Sequence, residues 1–248
     1  CGTRVGQVQQ RGVEIKLLTS NKNKGFSTNV NKGVAEAKGD VAILLNTDVA
    51  PSKNFLTPLV KHFDDGDVFA VGCMDESVEN GKIVLRGRGI GKWEKGFLVH
   101  SKGSLDKKNT LWVAGGSGAF RKEIWDKLGG LDKIYNPFYW EDIDISYRAQ
   151  KAGYRTLFEK NSVVRHEHDK GAIRREYTAA EIRKIAYRNQ FIFVWKNISD
   201  YVSSLLYYWN ITDPGAARES FKDIQFYLKN GVVGETVPMR SAPSEAKA

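Results

Sequence analysis

The sequence has few cysteines and no long apolar segment. Only two of its 248 residues are cysteines, Cys1 and Cys73, which excludes a disulfide framework and favours a reducing compartment. No secretory signal and no run of about 18 apolar residues is visible, so nothing predicts a membrane-spanning helix. No internal repeat is evident either. The first residue is Cys rather than Met, from which we expect a fragment or a processed chain.

Acidic residues are too few to balance the basic ones. There are 38 Lys and Arg residues against 29 Asp and Glu residues, which gives a formal net charge of +9. Such a surface suits phosphate-rich partners, whether nucleotides, nucleic acid or an anionic membrane face, and charge alone does not choose among them. Because the basic residues are scattered and no recognition motif is visible, we expect no nucleic-acid partner.

The first half of the chain alternates between strand and helix patterns. Residues 13–18 and 68–73 have strand character, and Val41–Leu45 is a continuous apolar run like those of strands buried on both faces. Apolar residues at helical spacing follow Phe26 and Pro51. This rhythm predicts an α/β fold with a mostly parallel central sheet flanked by helices. The glycine-rich residues 81–104 predict hairpins and a mobile loop.

The second half predicts further strands and helices, and ends in a helical extension. We expect strands at 110–114, 154–159 and 162–166, with helices ending at Gly130 and Gly153. Thr178 and Glu181 have the spacing of a capping box, which predicts a long helix reaching about Lys196. An aromatic segment at 201–209, an amphipathic stretch at 214–229 and a disordered polar tail follow.

The clearest candidate for a metal ligand is Asp48, which follows the apolar strand 41–45 in the sequence Leu44-Leu45-Asn46-Thr47-Asp48. Ligands bind at the carboxyl ends of strands in α/β sheets, and a carboxylate there can hold Mg²⁺ or Mn²⁺ against a diphosphate. The alternative is that Asp48 only caps the turn into the next helix. His166, in a polar run after a predicted strand, is a second candidate ligand or proton shuttle, or a structural histidine.

Three carboxylates crowd the start of a predicted helix, in Trp140-Glu141-Asp142-Ile143-Asp144. Repulsion among them should raise at least one pKa, which suits a general base. The alternative is that acidic residues favour helix N-termini because they complement the helix dipole.

The order of these signals resembles the family 2 glycosyltransferases of GT-A fold, especially their rhamnosyltransferase-like branch. The resemblance extends over about residues 14–200. It is carried, in chain order, by Asn23-Lys24-Gly25-Phe26, Asn31-x-Gly33, Ala37-Lys38-Gly39-Asp40, Asn46-Thr47-Asp48, Gly116-Ser117-Gly118-Ala119-Phe120-Arg121, Gly129-Gly130-Leu131-Asp132, Trp140-Glu141-Asp142-x-Asp144, Arg148-Ala149-x-x-Ala152-Gly153-Tyr154 and His166. It implies an inverting, metal-dependent enzyme that moves a sugar from a nucleotide diphosphate sugar to a hydroxyl of a saccharide or lipid-linked acceptor.

The resemblance also implies roles for individual residues. Asp48 matches the last Asp of the family's Asp-x-Asp metal motif, with Asn46 in place of its first acid, and His166 matches a histidine that contacts the metal or the diphosphate. Asp142 matches the catalytic base, and Glu141 and Asp144 would position the acceptor or tune that base. The donor is expected near Lys24, Gly25, Asn31, Asn46, Asp48, Gly116 and Gly118.

The chain departs from the family at its start, because nothing before Val13 looks like the first nucleotide-binding strand. We therefore expect a GT-A domain lacking that strand at 1–175, a helical region at 176–232 and a disordered tail at 233–248. Other functions stay open, including a nucleotidyltransferase and a non-catalytic binder of nucleotide sugar or carbohydrate. Aromatic residues at 191–209, near Arg183, Lys184, Arg188 and Lys196, suggest peripheral contact with a membrane, which favours a cytoplasmic location at the inner face of the plasma membrane. The alternative is that this helix packs against the sheet domain or forms a dimer interface.

Overall fold

The computed structural model describes residues 5–10, 13–79, 81–94, 96–167 and 171–197, which form an α/β structure around one central sheet. The strands are β1 (Val5–Gln10), β2 (Val13–Leu18), β3 (Val41–Leu45), β4 (Val49–Pro51), β5 (Val68–Glu79), β6 (Lys82–Arg86), β7 (Gly89–Glu94), β8 (Phe97–Lys102), β9 (Ser117–Arg121) and β10 (Arg155–His166). The helices are α1 (Phe26–Glu36), α2 (Leu56–Val60), α3 (Lys122–Lys127), α4 (Glu141–Lys151), α5 (Ala172–Glu176) and α6 (Ala179–Asn197).

The central sheet has the strand order β3-β9-β5-β10-β4, with β6 paired to β5. The β5–β10 pairing is parallel, whereas β9 runs antiparallel to both β3 and β5, and β4 runs antiparallel to β10. Strands β3, β5 and β10 therefore point the same way. The expected α/β class is confirmed, but the sheet is mixed rather than mostly parallel, because β9 lies between β3 and β5 and runs opposite to both.

Two strand predictions need correction. Residues 110–114 form no strand, and the neighbouring strand is instead β9, which includes the Ser117-Gly118 pair. A Cβ on Gly118 would lie 2.4 Å from Cγ1 of Val113, so glycine lets this segment pack closely beneath the sheet. The predicted strands 154–159 and 162–166 are one strand, β10, which stays continuous because a register shift between Glu159 and Val163 absorbs the irregularity.

Residues before α1 form a hairpin of their own. Strand β2, predicted to join the central sheet, pairs antiparallel with β1 in a separate two-stranded sheet. The hairpin contacts the first helical segment through the ion pairs Lys16–Glu36 and Lys38–Glu14. The hairpins predicted within 81–104 are present as β5–β6 and β7–β8. The segment 201–229 and the tail lie outside the described residues.

Apolar side chains pack on both faces of the central sheet, and a third cluster joins α6 to the rest. Val34, Phe69, Phe120, Trp125 and Ile145 belong to the first cluster, and Phe55, Leu59, Val68, Val71 and Val164 to the second. The third contains Leu98, Tyr135, Trp140, Ile143 and Phe193. Because Phe193 lies on α6 and is fully buried, this helix is an integral part of the domain. Among the described helices, none is long and apolar enough to cross a membrane.

Candidate functional site

The side chains of Asp48, Asp75 and His166, which lie on or next to β3, β5 and β10, contact one another. Asp48 lies in the turn after β3, His166 is the last residue of β10, and Asp75 lies on β5. The Nε2 atom of His166 is 3.4 Å from Oδ2 of Asp48, and its Nδ1 atom is 3.0 Å from Oδ2 of Asp75. All three side chains are mostly buried, with exposed fractions of 12–14%. The structure thus brings Asp48 and His166 together, as the sequence predicts.

The two carboxylates give His166 a defined orientation. A carboxylate can only accept a hydrogen bond, so the Nδ1–H group donates to Asp75 and Nε2 is turned toward Asp48. Burial alone would lower the pKa of His166, but Asp75 and Asp48 outweigh it and raise the pKa above its usual value. Ser77 donates a hydrogen bond of 2.9 Å to the other oxygen of Asp75, which fixes that carboxylate in turn.

This group fits a divalent cation that is shared with a phosphate ligand. Within the described residues, no three His, Cys, Asp or Glu side chains are arranged to hold a metal by themselves. Mg²⁺, however, is commonly held by one or two carboxylates together with substrate phosphates, and two neighbouring ligands at about 2.1 Å from one ion lie about 3 Å apart. The separation of 3.4 Å between Asp48 and His166 is close to that value. A histidine that donates its other N–H to a carboxylate is a frequent arrangement in metal sites.

The predicted acidic group lies at the start of α4, after an unusual turn. Tyr139 and Trp140 have φ angles of 73° and 76°, in the left-handed region that bulky residues rarely adopt. Asp142 follows on the first turn of the helix, where its Oδ2 atom accepts a hydrogen bond of 3.4 Å from the backbone N–H of Gly115. Glu141 is 5% exposed, and its Oε2 atom has no hydrogen-bond partner in the described part of the chain.

The environment of this turn shifts the two neighbouring carboxyl groups in the same direction. Burial, followed by the charge of Asp142, raises the pKa of Glu141 to about 8. Burial also raises the pKa of Asp142, although backbone N–H groups of Ile143 and Gly115 oppose the change. The expected upward shift is therefore present, but its main cause is loss of hydration and not repulsion. Both carboxyl groups are therefore weaker acids than they would be in water.

Asp144 differs from its neighbours because its charge is fully paired. Its carboxylate receives hydrogen bonds from Arg148 (2.7 Å), Lys196 (2.9 Å) and the hydroxyl of Tyr135 (2.9 Å), and the residue has no exposed surface. Burial alone would raise the pKa of Asp144, but the two cations outweigh it and lower the pKa. Because Asp144 is buried and paired, it does not suit contact with an acceptor. Its role beside the base was predicted from the sequence, but in the structure it joins α4 to α6.

One short loop connects the acidic turn, Tyr139–Asp142, with the group formed by Asp48, Asp75 and His166, which we call the strand-end group. The N–H of Gly115 bonds to Asp142, and the carbonyl of Gly116 accepts a hydrogen bond of 2.9 Å from the N–H of Asn46. A Cβ on Gly116 would lie 2.5 Å from the Asn46 side chain, so glycine permits this approach. The motif Asn46-Thr47-Asp48 and the motif of Asp142 therefore border the same loop.

Some of the residues predicted to border the nucleotide line an open cleft with groups available to a ligand, and others are engaged in contacts within the protein. Lys24 is exposed and lines a cleft of about 890 Å³ together with Lys22, Lys32 and Lys133, and no acidic residue is among the described residues lining that cleft. Gly25 packs against Asn136, whose amide donates to the Lys24 carbonyl at 3.0 Å. The cleft is consequently suited to an anion.

Asn31 also lines the cleft, but both ends of its amide are already engaged. Its Nδ2 donates to the carbonyl of Leu131 at 2.7 Å, and its Oδ1 accepts from the N–H of the same residue at 2.9 Å. Asn31 therefore fastens α1 to the turn at Gly130, and Gly118 is buried within β9. These two positions support the site without offering a free group to a ligand.

Sequence reasoning missed two residues, Asp75 and Asn189. Asp75 follows the apolar part of β5 as Asp48 follows β3, so the same reasoning about strand ends could have identified it. Asn189 is fully buried in α6, and the two N–H groups of its Nδ2 atom are shared among three carbonyl oxygens of the segment before α4, all within 2.9 Å. An asparagine in the middle of a helix is unfavourable by propensity, and that was the available signal.

Comparison with known proteins finds a matching family model and several relatives. The family model described as "Glycosyltransferase like family 2" matches residues 5–186. A pre-mycofactocin glycosyltransferase of Mycobacterium tuberculosis is 26% identical over 162 residues, which are 62% of this chain and 33% of that protein. An O-antigen chain rhamnosyltransferase of Salmonella anatum is 24% identical over 158 residues, covering 62% of this chain and 49% of that protein.

A third relative is the N-acetylglucosaminyl-diphospho-decaprenol L-rhamnosyltransferase of Mycobacterium tuberculosis, 24% identical over 217 residues, which are 75% of this chain and 68% of that protein. The chain spans about a third to a half of the length of the first two relatives. Among solved structures, GalNAc-T7 with UDP, GalNAc and Mn²⁺ superimposes with a TM-score of 0.56 at 18% identity, over 88% of this chain and 45% of that one. This likeness concerns the fold.

Proposed function

Because the chain belongs to glycosyltransferase-like family 2, we propose that it transfers a sugar from a nucleotide diphosphate sugar to a hydroxyl group, with inversion at the anomeric carbon. The acceptor is a saccharide or a lipid-linked saccharide. Two relatives named as rhamnosyltransferases, one of them acting on a decaprenol-linked sugar by its name, support this class of acceptor.

The observation that carries the proposal is the loop Gly115–Gly116. It contacts the carboxylate of Asp142 on one side and Asn46, two residues before Asp48, on the other. A general base and a diphosphate-binding group must lie on opposite sides of one reacting carbon in a single displacement, and this loop gives them a common border. A turn cap at Asp48 and a dipole effect at Asp142 would not require the two motifs to meet.

In the proposed reaction, Asp142 accepts the proton of the acceptor hydroxyl while the oxygen attacks the anomeric carbon. The bond from that carbon to the diphosphate breaks in the same step, so no covalent intermediate on the protein is needed. Burial and the charge of Asp142 raise the pKa of Glu141 to about 8, which makes Glu141 a weak acid and leaves the role of base to Asp142. The bond from Gly115 keeps one oxygen of Asp142 in place.

The leaving diphosphate requires positive charge at the other side of the carbon. Mg²⁺ or Mn²⁺, bound by Asp48 and His166, would supply it by offsetting the charge that develops on the phosphate oxygens. The structural neighbour solved with UDP and Mn²⁺ supports this choice of cofactor. The lysines of the cleft, Lys22, Lys24, Lys32 and Lys133, provide further electrostatic attraction for the donor.

A donor screen tests the proposal directly. UDP-, dTDP- and GDP-sugars are incubated with the protein and Mn²⁺, and release of nucleoside diphosphate is measured, with and without candidate acceptors. Calorimetry under the same conditions measures binding. Turnover that depends on the metal supports the enzyme. Tight binding of a donor without any release of diphosphate would instead support a non-catalytic nucleotide-sugar binder.

We also propose that α6 contacts the surface of a membrane. Tyr187, Phe191 and Trp195 are spaced by four residues on α6 and are 62%, 43% and 41% exposed, so they form one aromatic stripe. Arg183 and Lys184 are exposed near its start. Aromatic rings at the headgroup level next to cations are typical of surface helices on anionic lipid, here the cytoplasmic face of a membrane.

Sedimentation with vesicles containing anionic lipid tests this contact at low and high salt. We expect salt-sensitive binding that is lost when Arg183 and Lys184 are changed to Gln, and weakened when the three exposed rings are changed to Ser. Arg188 and Lys196 are left intact because they bond to residues near the acidic turn. The matched control is the pair Lys107→Gln and Lys108→Gln, two exposed cations on another part of the surface. An equal loss in the control would contradict a specific surface.

A further inference from the structure

The turn before α4 needs support that its own sequence does not provide. Tyr139 and Trp140 are two consecutive bulky residues with φ angles of 73° and 76°. Such backbone persists only where surrounding structure holds it, and it is concentrated at functional sites. The turn leads directly into the acidic pair, Glu141 and Asp142, at the start of α4.

The support comes from one side chain of α6. The Nδ2 atom of Asn189 lies 2.8 Å from the carbonyl oxygen of Tyr135, 2.9 Å from that of Phe138 and 2.8 Å from that of Tyr139. The residue has no exposed surface. Without this donor the three carbonyl groups would lose a buried partner, which is costly for backbone groups away from water.

A neighbouring cation completes the arrangement. The Nε atom of Arg188 donates to Oδ1 of Asn189 at 2.9 Å, and its guanidinium group also donates to the carbonyl of Asn136. The amide of Asn189 is thereby held in one orientation, with its N–H groups directed at the turn. Successive residues of α6 thus hold carbonyl groups at 135, 136, 138 and 139, which lead directly into Glu141 and Asp142.

We propose that Asn189 is a positioning residue, which holds the left-handed turn Tyr139–Trp140 so that Asp142 is directed at the acceptor. This role rests on the proposed function, in which Asp142 is the general base. Asn189 itself touches neither substrate nor the reacting atoms. Loss of the Asn189 side chain should make the turn open more often and should lower turnover. The donor site at the strand ends should stay intact.

Asn197 provides a matched control on the same helix. It is 4% exposed and donates to the carbonyl of Phe193 at 2.9 Å, which lies within α6. Asn189→Ala and Asn197→Ala therefore remove the same buried amide from one helix, and only the first removes a contact with the turn. Asn189→Ser is a milder variant that keeps a small donor, and it carries the test if Asn189→Ala does not fold.

Hydrogen exchange on the full chain tests the proposal independently of activity. We expect the amides of 139–144 to exchange at least about tenfold faster in Asn189→Ala, less so in Asn189→Ser, and unchanged in Asn197→Ala. Equal acceleration in the Asn197 control would overturn the proposal, because general loosening of α6 would then explain it. Unchanged exchange in both Asn189 variants would overturn it as well.

Kinetics on the same proteins separate this inference from the proposed function. In Asn189→Ala we expect kcat to fall about 100-fold with the donor KM changed by less than about threefold, because a mispositioned base affects the transition state and not donor binding. Turnover within about threefold of the wild type would overturn the positioning role. Absence of turnover in the wild type would count against the proposed function, while the exchange result would still decide whether Asn189 holds the turn.

Discussion

Asp48 and His166 are held by the central sheet, whereas Glu141 and Asp142 follow a turn that depends on side chains of another helix. The strand-end group is fixed by backbone pairing, since His166 lies opposite Val49 on one side and Ser77 on the other. The acidic turn instead relies on Asn189, 50 residues away in sequence from Tyr139. Metal and donor binding should therefore tolerate changes in α6, and the base should not.

The change expected to have the largest effect concerns the acidic side of this comparison. Asp142→Asn keeps the shape of the side chain but cannot accept a proton, so we expect kcat to fall on the order of 10²–10⁴-fold. Donor affinity, measured by calorimetry with Mn²⁺, should stay unchanged because the strand-end group is separate. Asp126→Asn, at an exposed carboxylate paired with Lys122, is the control. Near-normal turnover in Asp142→Asn would rule out its role as the base.

How far the sequence predicts each region follows from how each is held. The apolar run 41–45 predicted the strand β3, and the polar residues after it pointed to Asp48 as a candidate ligand, because strand ends converge at one edge of a sheet. The insertion of β9 between β3 and β5 could not be predicted, since strand order depends on contacts between distant segments. The paired state of Asp144 was also inaccessible, because Lys196 contacts it across 52 residues.

The second prediction addresses the strand-end side. Asp48→Ala should weaken Mn²⁺-dependent donor binding by at least about 100-fold, since changes to partners of metal ligands alone already cost about 10–100-fold. Calorimetric titration of the donor with and without Mn²⁺ measures this. Thr47→Ala, an exposed change in the same turn, should have no comparable effect. If the metal-dependent affinity survived in Asp48→Ala, this residue would only cap its turn.

A smaller effect on the same side is expected from Asp75→Asn. The amide can still contact Nδ1 of His166, but it no longer offers two acceptor oxygens to the ring and to Ser77. We expect about tenfold weaker binding of Mn²⁺, measured by titration of the metal in the presence of nucleoside diphosphate. Glu76→Gln is the control, because adjacent residues of a strand point to opposite faces. Equal affinities in the two variants would mean that Asp75 does not orient His166 for the metal.

The last expected effect is on stability rather than on activity, and it concerns the proton that Glu141 holds. Burial first, and then the charge of Asp142, raise the pKa of Glu141 from 4.5 to about 8, so the folded state binds this proton more tightly than the unfolded state. The free energy of unfolding should therefore fall as pH rises from 4.5 to about 8 and change little above that, by on the order of a few kcal/mol. Glu141→Gln removes the ionisation, so its Tm relative to the wild type should be higher at pH 9 than at pH 5 by roughly 5–10 °C. In the Asp142→Asn background the pH effect should shrink but persist, because burial is the larger cause. A Tm difference that is the same at both pH values would mean that Glu141 ionises in the folded protein as it does in water.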